Sequence, residues 1–370
     1  MKMVKKIVNV ALQYVRFFVK IMFINSHRGN SKTIALVFRV SKWKQGAIEA
    51  LLDEYTCLFI PKYINPKILT IISLWVNQYV IITWGYDDKS DKYFSKHSNV
   101  KKVPFYRLED GFVRSVGLGA MLTPPYSICL DKRGMYFDST KESDLEYLLN
   151  TFPFGEHPDL EKRANKVIHM LQMLKLSKYN HLPSSNISNI YGPKKLRRVL
   201  VVGQVEDDAS IRKGSRIRYS NNDLVRIAVK ENPDCEVFYK PHPDVLSGRR
   251  KMKSNPEDVR DIVQVIDSPV GLADALNTVD HVYTITSLSG FEALIRGIKV
   301  TTLGAPFYSG WGLTDDRQNV DRRKRMLTKE QLLIGAYILY PRYADPLTME
   351  RLSLEETIQR INKSRNKSEE

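Results

Sequence analysis

Short β-branched runs recur along this chain and alternate with segments of helical spacing. Residues 33–39, 57–60 and 79–84 are nearly continuous apolar runs, as expected of strands covered on both faces. Residues 46–52 and 66–76 between them predict helices. A further strand over 103–108 runs directly into Glu109-Asp110-Gly111. Residues 128–130 and 135–137 flank Asp131–Gly134 and predict a hairpin. A helix is expected over 158–176. The stretch 177–193 is rich in Ser, Asn and Pro and reads as a connector. From Leu196 a second series begins, with strands expected at 198–202, 236–240, 263–266, 281–286 and 300–303. Its helices are expected at 222–231, 271–279 and 290–296. After Trp311 the chain turns basic. It is then expected to be helical over 328–340 and 348–361, with a disordered end at 362–370. Alternation of this kind implies parallel sheets with helices on both faces. The fold class it predicts is α/β, with two Rossmann-like domains facing across a cleft.

The first residues have a different pattern. Val4, Ile7, Val8, Ala11, Val15, Phe18, Val19 and Met22 recur at helical spacing, but Lys2, Lys5, Lys6, Arg16 and Lys20 interrupt them. That is too charged to span a bilayer. No small-residue cleavage site follows. Either a basic amphipathic helix on an anionic membrane or an ordinary helix docked on the domain fits. The expected organisation is therefore this helix (1–26), an N-terminal Rossmann-like domain (27–150), a helical connector (151–195), a C-terminal Rossmann-like domain (196–315) and a helical tail (316–370).

Composition narrows the partners. At 370 residues the chain suits two domains, and 43% apolar content gives each a core. Cys57, Cys129 and Cys235 are scattered, without a C-x-x-C pair. Neither a disulfide framework nor a structural zinc is expected, and a reducing cytoplasm fits. The net charge of +16 favours a polyanionic partner: nucleic acid, an anionic membrane surface or an acidic substrate. No nucleic-acid motif occurs, so nucleic acid is set aside.

Candidate chemistry gathers at strand ends, where open α/β sheets bind ligands. After residues 198–202, Gly203 releases the backbone and Glu206, Asp207 and Asp208 follow. This is a site that needs negative charge, a divalent-metal site, or a turn in which Asp208 or Ser210 caps the next helix. Glu109 or Asp110 can serve as a general base toward an acceptor hydroxyl, or can simply sit in a turn with Gly111. Arg107 and Arg114 flank them and can hold a substrate carboxylate. Gly117 and Gly119 are too weak a signal for a cofactor. His242 lies between Pro241 and Pro243, after Lys240. A donor histidine so fixed suits a phosphate leaving group. Ser287, Ser289 and the amides near Gly290 open a helix, as an anion site or as an ordinary N-cap. Glu292 can accept from two ribose hydroxyls. The loop 307–316 is aromatic and glycine-rich and reads as a cleft wall.

Taken together, these segments resemble the capsule β-Kdo transferases, the KpsC family. The resemblance is carried by residues 108–119, 203–211, 240–244, 286–294, 306–316 and 340–346, and it runs in order from about Tyr79 to Pro346. Glu109-Asp110-Gly111 with His242-Pro243 is also similar to certain bacterial sialyltransferases, which use a CMP-activated donor. The resemblance implies a GT-B fold and metal-independent, retaining transfer of Kdo from CMP-β-Kdo. Double displacement through a Kdo–aspartate adduct is implied as well. The pattern Gln204-x-x-x-Asp208-x-Ser210 aligns that aspartate with Asp208. His242 and Ser289 then fall at the CMP phosphate, and Glu109 or Asp110 near the acceptor. Gln204, Ser210, Lys240, Pro243, Ser287, Gly290 and Glu292 complete the donor side. KpsC chains typically carry two such modules, and this chain carries one. The implied setting is capsule or O-antigen synthesis on a lipid-linked or oligosaccharide acceptor, with the protein peripheral on the inner face of a bacterial inner membrane. Two alternatives stay open: an inverting CMP-sialic or CMP-Kdo transferase with Glu109 or Asp110 as base, and a non-catalytic glycan-binding subunit at the membrane surface.

Overall fold

The computed structural model describes Val19 and residues 32–369, apart from 63, 77, 118–120, 179, 181 and 183–185. The helix expected over residues 1–26 therefore lies, Val19 aside, outside the described residues. The first elements are β1 (Thr33–Phe38), α1 (Gln45–Leu51), β2 (Tyr55–Ile60), α2 (Ile68–Trp75), β3 (Tyr79–Trp84), α3 (Asp88–Lys101) and β4 (Phe105–Asp110). Next come β5 (Ser127–Asp131), α4 (Asp144–Thr151), α5 (Pro158–Met173), α6 (Ser188–Tyr191), β6 (Arg197–Val202), α7 (Ala209–Gly214), α8 (Asn221–Glu231) and β7 (Cys235–Lys240). The chain continues through α9 (Pro243–Leu246), β8 (Gln264–Val265), α10 (Leu272–Ala275), β9 (His281–Thr284), α11 (Leu288–Leu294), β10 (Lys299–Thr302) and β11 (Asp315–Asp316). It ends in α12 (Lys329–Leu333), a π-helical turn (Ile334–Leu339), β12 (Pro341–Tyr343) and α13 (Leu354–Glu369). No described helix is long and apolar enough to cross a membrane.

The residues pack as two compact units. One holds the described residues up to Gln45 with Leu52–Tyr106; the other holds Gly46–Leu51 and Arg107–Glu370. In the first, β1 lies between β2 and β3 and is parallel to both, with Leu36 opposite Leu58 and Ile81. Five of its six residues are buried, which explains the unbroken apolar run. Leu36, Phe38, Leu58, Ile60, Ile72 and Phe94 form the core. Helix α3 has no counterpart among the sequence expectations. Its apolar residues are too few to show a period, and it is anchored by buried Phe94 and His97. The legible signals were its ends: Asp87 Oδ2 accepts from the Ser90 amide at 3.2 Å, and Lys102 closes the helix at φ 57°.

In the second unit, β6 to β11 form a parallel sheet in the order β11-β10-β9-β6-β7-β8. From β6 the chain steps outward through β7 and β8, then returns to the other side of β6 at β9. This reversal opens a crevice beyond the carboxyl ends of β6 and β9. Val199, Val201, Leu224, Tyr239, Tyr283 and Ile285 fill the core on one face. Strand β5 pairs antiparallel with β4 and with β12 (Leu108 opposite Leu130, Cys129 opposite Pro341).

The sequence expectations need several corrections. No hairpin forms around Asp131–Gly134: β5 takes β4 and β12 as partners and 135–137 is not a strand. Asp131 instead folds the turn back on itself, its carboxylate accepting from the Gly134 and Asp144 amides. Strand β4 is shifted two residues onward, so Glu109 and Asp110 are its last residues rather than part of a turn. Gly111 follows because a Cβ there would lie 2.3 Å from Ser127 Oγ. The helix expected over 271–279 shrinks to the four residues of α10. The end expected to be disordered is helical, since α13 runs on to Glu369.

Candidate active site

The loops after β6, β7 and β9 carry the site. After β6, Gln204 braces the crevice. Its Oε1 accepts from the Thr286 amide (2.7 Å) and its Nε2 donates to Thr286 Oγ1 (3.2 Å), tying this loop to the one after β9. Asn221 clamps the Gln204 backbone from both sides at 2.9 Å. The three consecutive acids then diverge. Glu206 Oε1 accepts from the Asn221 amide at 2.6 Å and from Ser254 Oγ. Asp207 pairs with Arg250 at 3.1 Å. Asp208 caps α7: its Oδ1 accepts from the Ser210 amide (2.9 Å) and hydroxyl (2.8 Å). Its Oδ2 has no hydrogen bond among the described residues. Among those residues no group of three or more His, Cys, Asp or Glu is arranged to hold a metal ion.

After β7, Lys240 is buried, 9% exposed, and makes no hydrogen bond or ion pair among the described residues. Burial pulls its ammonium down to about 8. His242 caps the short helix α9 between its two prolines, and its Nδ1 accepts from the Asp244 amide at 3.1 Å. The neutral ring therefore carries its proton on Nε2. Burial lowers the His242 pKa, with Lys240 adding to the effect; Asp244 and Asp208 oppose it. The imidazole is thus kept neutral, with one N–H to donate.

After β9, Ser287 caps α11. Its Oγ accepts from the Ser289 amide (3.2 Å) and donates to Ser289 Oγ (3.1 Å). Gly290 packs against Tyr308, where a Cβ would come within 2.2 Å of the phenol oxygen. Glu292 is buried. One carboxylate oxygen accepts from the Lys178 amide (3.0 Å), and the other, Oε2, has no hydrogen-bond partner among the described residues. Burial pushes the Glu292 carboxyl up to about 7, against the pull of Arg296.

Two adjoining cavities gather these groups. The larger, about 350 Å³, brings together Asp208, His242, Glu109, Asp110, Gln204 and Ser210, with Ser287 at its edge. The smaller, about 150 Å³, is lined by Lys240, Pro243, Ser289 and Glu292 beside Gly203. Lys178, His242, Ser287 and Leu288 belong to both. Neither cavity is lined by Arg107, Arg114 or Gly290. Arg114 is fully buried, its Nε 2.9 Å from Asp110 Oδ2. That contact is one of charge rather than an aligned hydrogen bond, and the guanidinium also donates to Thr123 O at 3.0 Å. Arg107 is buried on β4, opposite Asp131. Sequence reasoning missed Lys178, which stands where the cavities join; in a Ser/Asn-rich connector nothing marks it out. It also missed Phe112 and Tyr136, which pack with Phe307 at ring separations of 4.8 and 6.0 Å to form an aromatic wall. Of the loop expected as a wall, Phe307 lines the cavity, with Pro306 just before it, while Trp311 is buried behind and donates to Phe307 O at 2.8 Å.

A family profile described as "Capsule polysaccharide biosynthesis protein" matches residues 79–187 and 173–345, most of the chain and all of this site. The chain belongs to the capsule polysaccharide biosynthesis family. One relative in this family is the lipopolysaccharide-processing protein LpsZ of Rhizobium meliloti, 46% identical over 317 residues, covering 85% of this chain and 71% of LpsZ. Another is the capsule polysaccharide modification protein LipA of Neisseria meningitidis serogroup B, 41% identical over 286 residues. That match covers 77% of this chain, which spans only 40% of LipA. Among solved structures, the β-Kdo 2,4 transferase of Thermosulfurimonas dismutans KpsC superposes with a TM-score of 0.75 at 31% identity, covering 91% of this chain and 99% of that one. The β-Kdo 2,7 transferase of the same protein gives 0.70 and 29%, over 90% and 99%. The capsule-family fold is thus the GT-B-like one of KpsC: α/β with two sheets in which parallel strands predominate.

Proposed function

We propose that the chain is a retaining β-Kdo glycosyltransferase. It takes Kdo from CMP-β-Kdo to a glycan or glycolipid acceptor in capsule or related surface-polysaccharide synthesis. The observation that carries this reading is the larger cavity, in which Asp208, His242, Glu109 and Asp110 share one wall-to-wall space. The KpsC transferases of the same fold support the sugar.

The chemistry follows from the residues. The anomeric carbon of Kdo bears its own carboxylate and is fully substituted, so its transition state is oxocarbenium-like. Asp208 Oδ2 attacks that carbon as its bond to the CMP phosphate oxygen breaks, giving an aspartyl ester and CMP. The Lys240 ammonium holds the donor phosphate from binding onward, and His242 Nε2–H donates to that phosphate as it departs, which lets the reaction proceed without a metal. Lys178, at the junction, meets the donor's carboxylate, and Glu292 Oε2 accepts from the ribose hydroxyls. An acceptor hydroxyl then attacks the same carbon and the ester bond breaks, restoring Asp208. Its proton passes to Glu109 or Asp110. Two inversions give retention.

The experiment is intact-mass analysis after brief incubation with CMP-Kdo and no acceptor, followed by peptide mapping. A Kdo adduct on the peptide containing Asp208 is expected. No adduct, together with an inverted anomer in the transfer product, overturns the double displacement and leaves the inverting route.

A further inference from the structure

The first unit presents a surface that the site does not use. Helix α2 is apolar at six of its eight positions. Ile68, Leu69 and Ile72 are buried in the core of that unit. The opposite stripe, at positions i, i+3 and i+4, is Ile71, Leu74 and Trp75, exposed by 45%, 75% and 53%. A surface helix ordinarily places polar residues there. Of the two polar residues of α2, Ser73 is half-buried and its Oγ donates to Thr70 O, while Thr70 is exposed beside the stripe and its Oγ1 meets Tyr93 Oη of α3 at 2.9 Å.

That last contact fixes what surrounds the stripe. Tyr93 brings with it the α3 residues one turn away on the same face, Lys89 and Lys96, both exposed. Val100, 69% exposed, continues this face by a further turn. Lys67 immediately precedes α2 and is exposed, as is Lys62. The patch is thus an exposed apolar stripe with lysines beside it.

We propose that this face of α2 and α3 docks on an anionic bilayer, with Leu74 and Trp75 inserted at the headgroup level. A tryptophan beside a leucine and an isoleucine, with lysines around them, suits the boundary between acyl chains and anionic headgroups. A second copy of the chain fits less well. Two-fold pairing through this stripe sets Lys67, Lys89 and Lys96 against their own counterparts. The inference is independent of the transfer reaction.

The test is co-sedimentation of the full chain with vesicles of phosphatidylglycerol and phosphatidylcholine, compared with phosphatidylcholine alone. The double variant Leu74→Gln, Trp75→Gln is expected to lose affinity for the anionic vesicles by about tenfold or more, with an unchanged melting curve. Lys89→Glu with Lys96→Glu is expected to weaken binding to anionic vesicles and to flatten its salt dependence. The proposal is overturned if the Leu74/Trp75 variant binds like the wild type. It is equally overturned if light scattering shows a wild-type dimer that this variant fails to form while vesicle binding is unaltered.

Discussion

The two adjoining cavities share four residues yet treat their charges in opposite ways. In the larger, the protein itself supports the acids. Asp208 is held by Ser210, Asp110 lies against Arg114, and Gln204 is braced by Thr286 and Asn221. In the smaller, among the described residues, the buried Lys240 makes no hydrogen bond or ion pair and the buried Glu292 Oε2 has no hydrogen-bond partner. Burying a charged group unpaired is costly, and folds retain such groups where a ligand supplies the missing partner. The difference separates two tasks. The larger cavity orients groups that react, and the smaller stores unmet polarity that a bound donor satisfies. Substitutions in the first should therefore reduce kcat, and those in the second should raise KM.

The sharpest break in that comparison is Asp208→Asn. It keeps the cap on α7 and removes the charge. Turnover is expected to fall roughly a thousandfold or more, while calorimetric binding of CMP and the melting curve stay near wild type. Wild-type turnover in this variant would reduce Asp208 to a cap, whose loss to alanine costs about 1 kcal/mol of stability and little rate.

His242 belongs to both cavities and tests whether the border is real. His242→Ala is expected to lose about a hundredfold to a thousandfold in kcat, with a smaller change in KM. The reverse pattern, KM raised and kcat kept, would move His242 wholly to the binding side.

How much of this was readable in the sequence differs between the two cavities. Asp208 and His242 each follow a short run of apolar and aromatic residues, which was enough to place them beyond strand ends, and the parallel order of β6, β7 and β9 brings those ends together; Glu109 sits at the end of β4, after a run of the same kind. Arg107 and Arg114 were misjudged. Flanking two acids in sequence looks like a carboxylate clamp, but β4 carries them into the interior, where Arg114 answers Asp110 instead of a ligand. Lys178 and the Glu292 environment depend on contacts between segments 114 residues apart, which no local pattern encodes. The missed helix α3 shows the same limit from the other side: a mostly polar segment is held by three buried side chains, Asp91, Phe94 and His97, and only its caps betray it.

The smaller cavity makes two pH predictions. Lys240, pulled down to about 8, is cationic below that pH and neutral above it. CMP affinity is expected to weaken as pH rises through 8, and in Lys240→Ala to be lower by tenfold to a hundredfold at pH 7, roughly the worth of a charged hydrogen bond, and flat with pH. Titration calorimetry at pH 7 and 9 measures both. Glu292 works in the opposite sense on stability. Its folded pKa of about 7 lies above the unfolded 4.5, so the native state holds the extra proton between them. Stability should be greatest below about pH 5 and decline as pH rises toward 7, by up to about 3 kcal/mol. Glu292→Gln should abolish that decline in denaturant melts and raise KM for the donor. An unchanged pH profile would mean that the carboxyl finds a partner in solution.

The smallest effect on rate is expected behind the aromatic wall. Phe307 faces the larger cavity, but the chain around it is gripped from outside. Arg323 donates to Pro306 O, to Ser309 O (2.8 Å) and to Ser309 Oγ (3.0 Å). Its Nε lies 3.1 Å from Glu146 Oε2, with both side chains almost fully buried, and Arg322 takes the other oxygen of Glu146 at 2.6 Å. Gly310, at φ 80°, lets the loop turn over the Arg323 stem. Glu146→Gln keeps the shape but leaves Arg323 buried without its counter-charge, which should destabilise the fold by roughly 3 kcal/mol. If the ion pair serves only to hold the fold, kcat and KM below the melting transition will match the wild type. If it positions Phe307, turnover should fall by less than about tenfold with KM for CMP-Kdo little changed, since the smaller cavity is untouched. A rise in KM alone would mean instead that the aromatic wall belongs to donor binding, and the division between the cavities would have to be redrawn there.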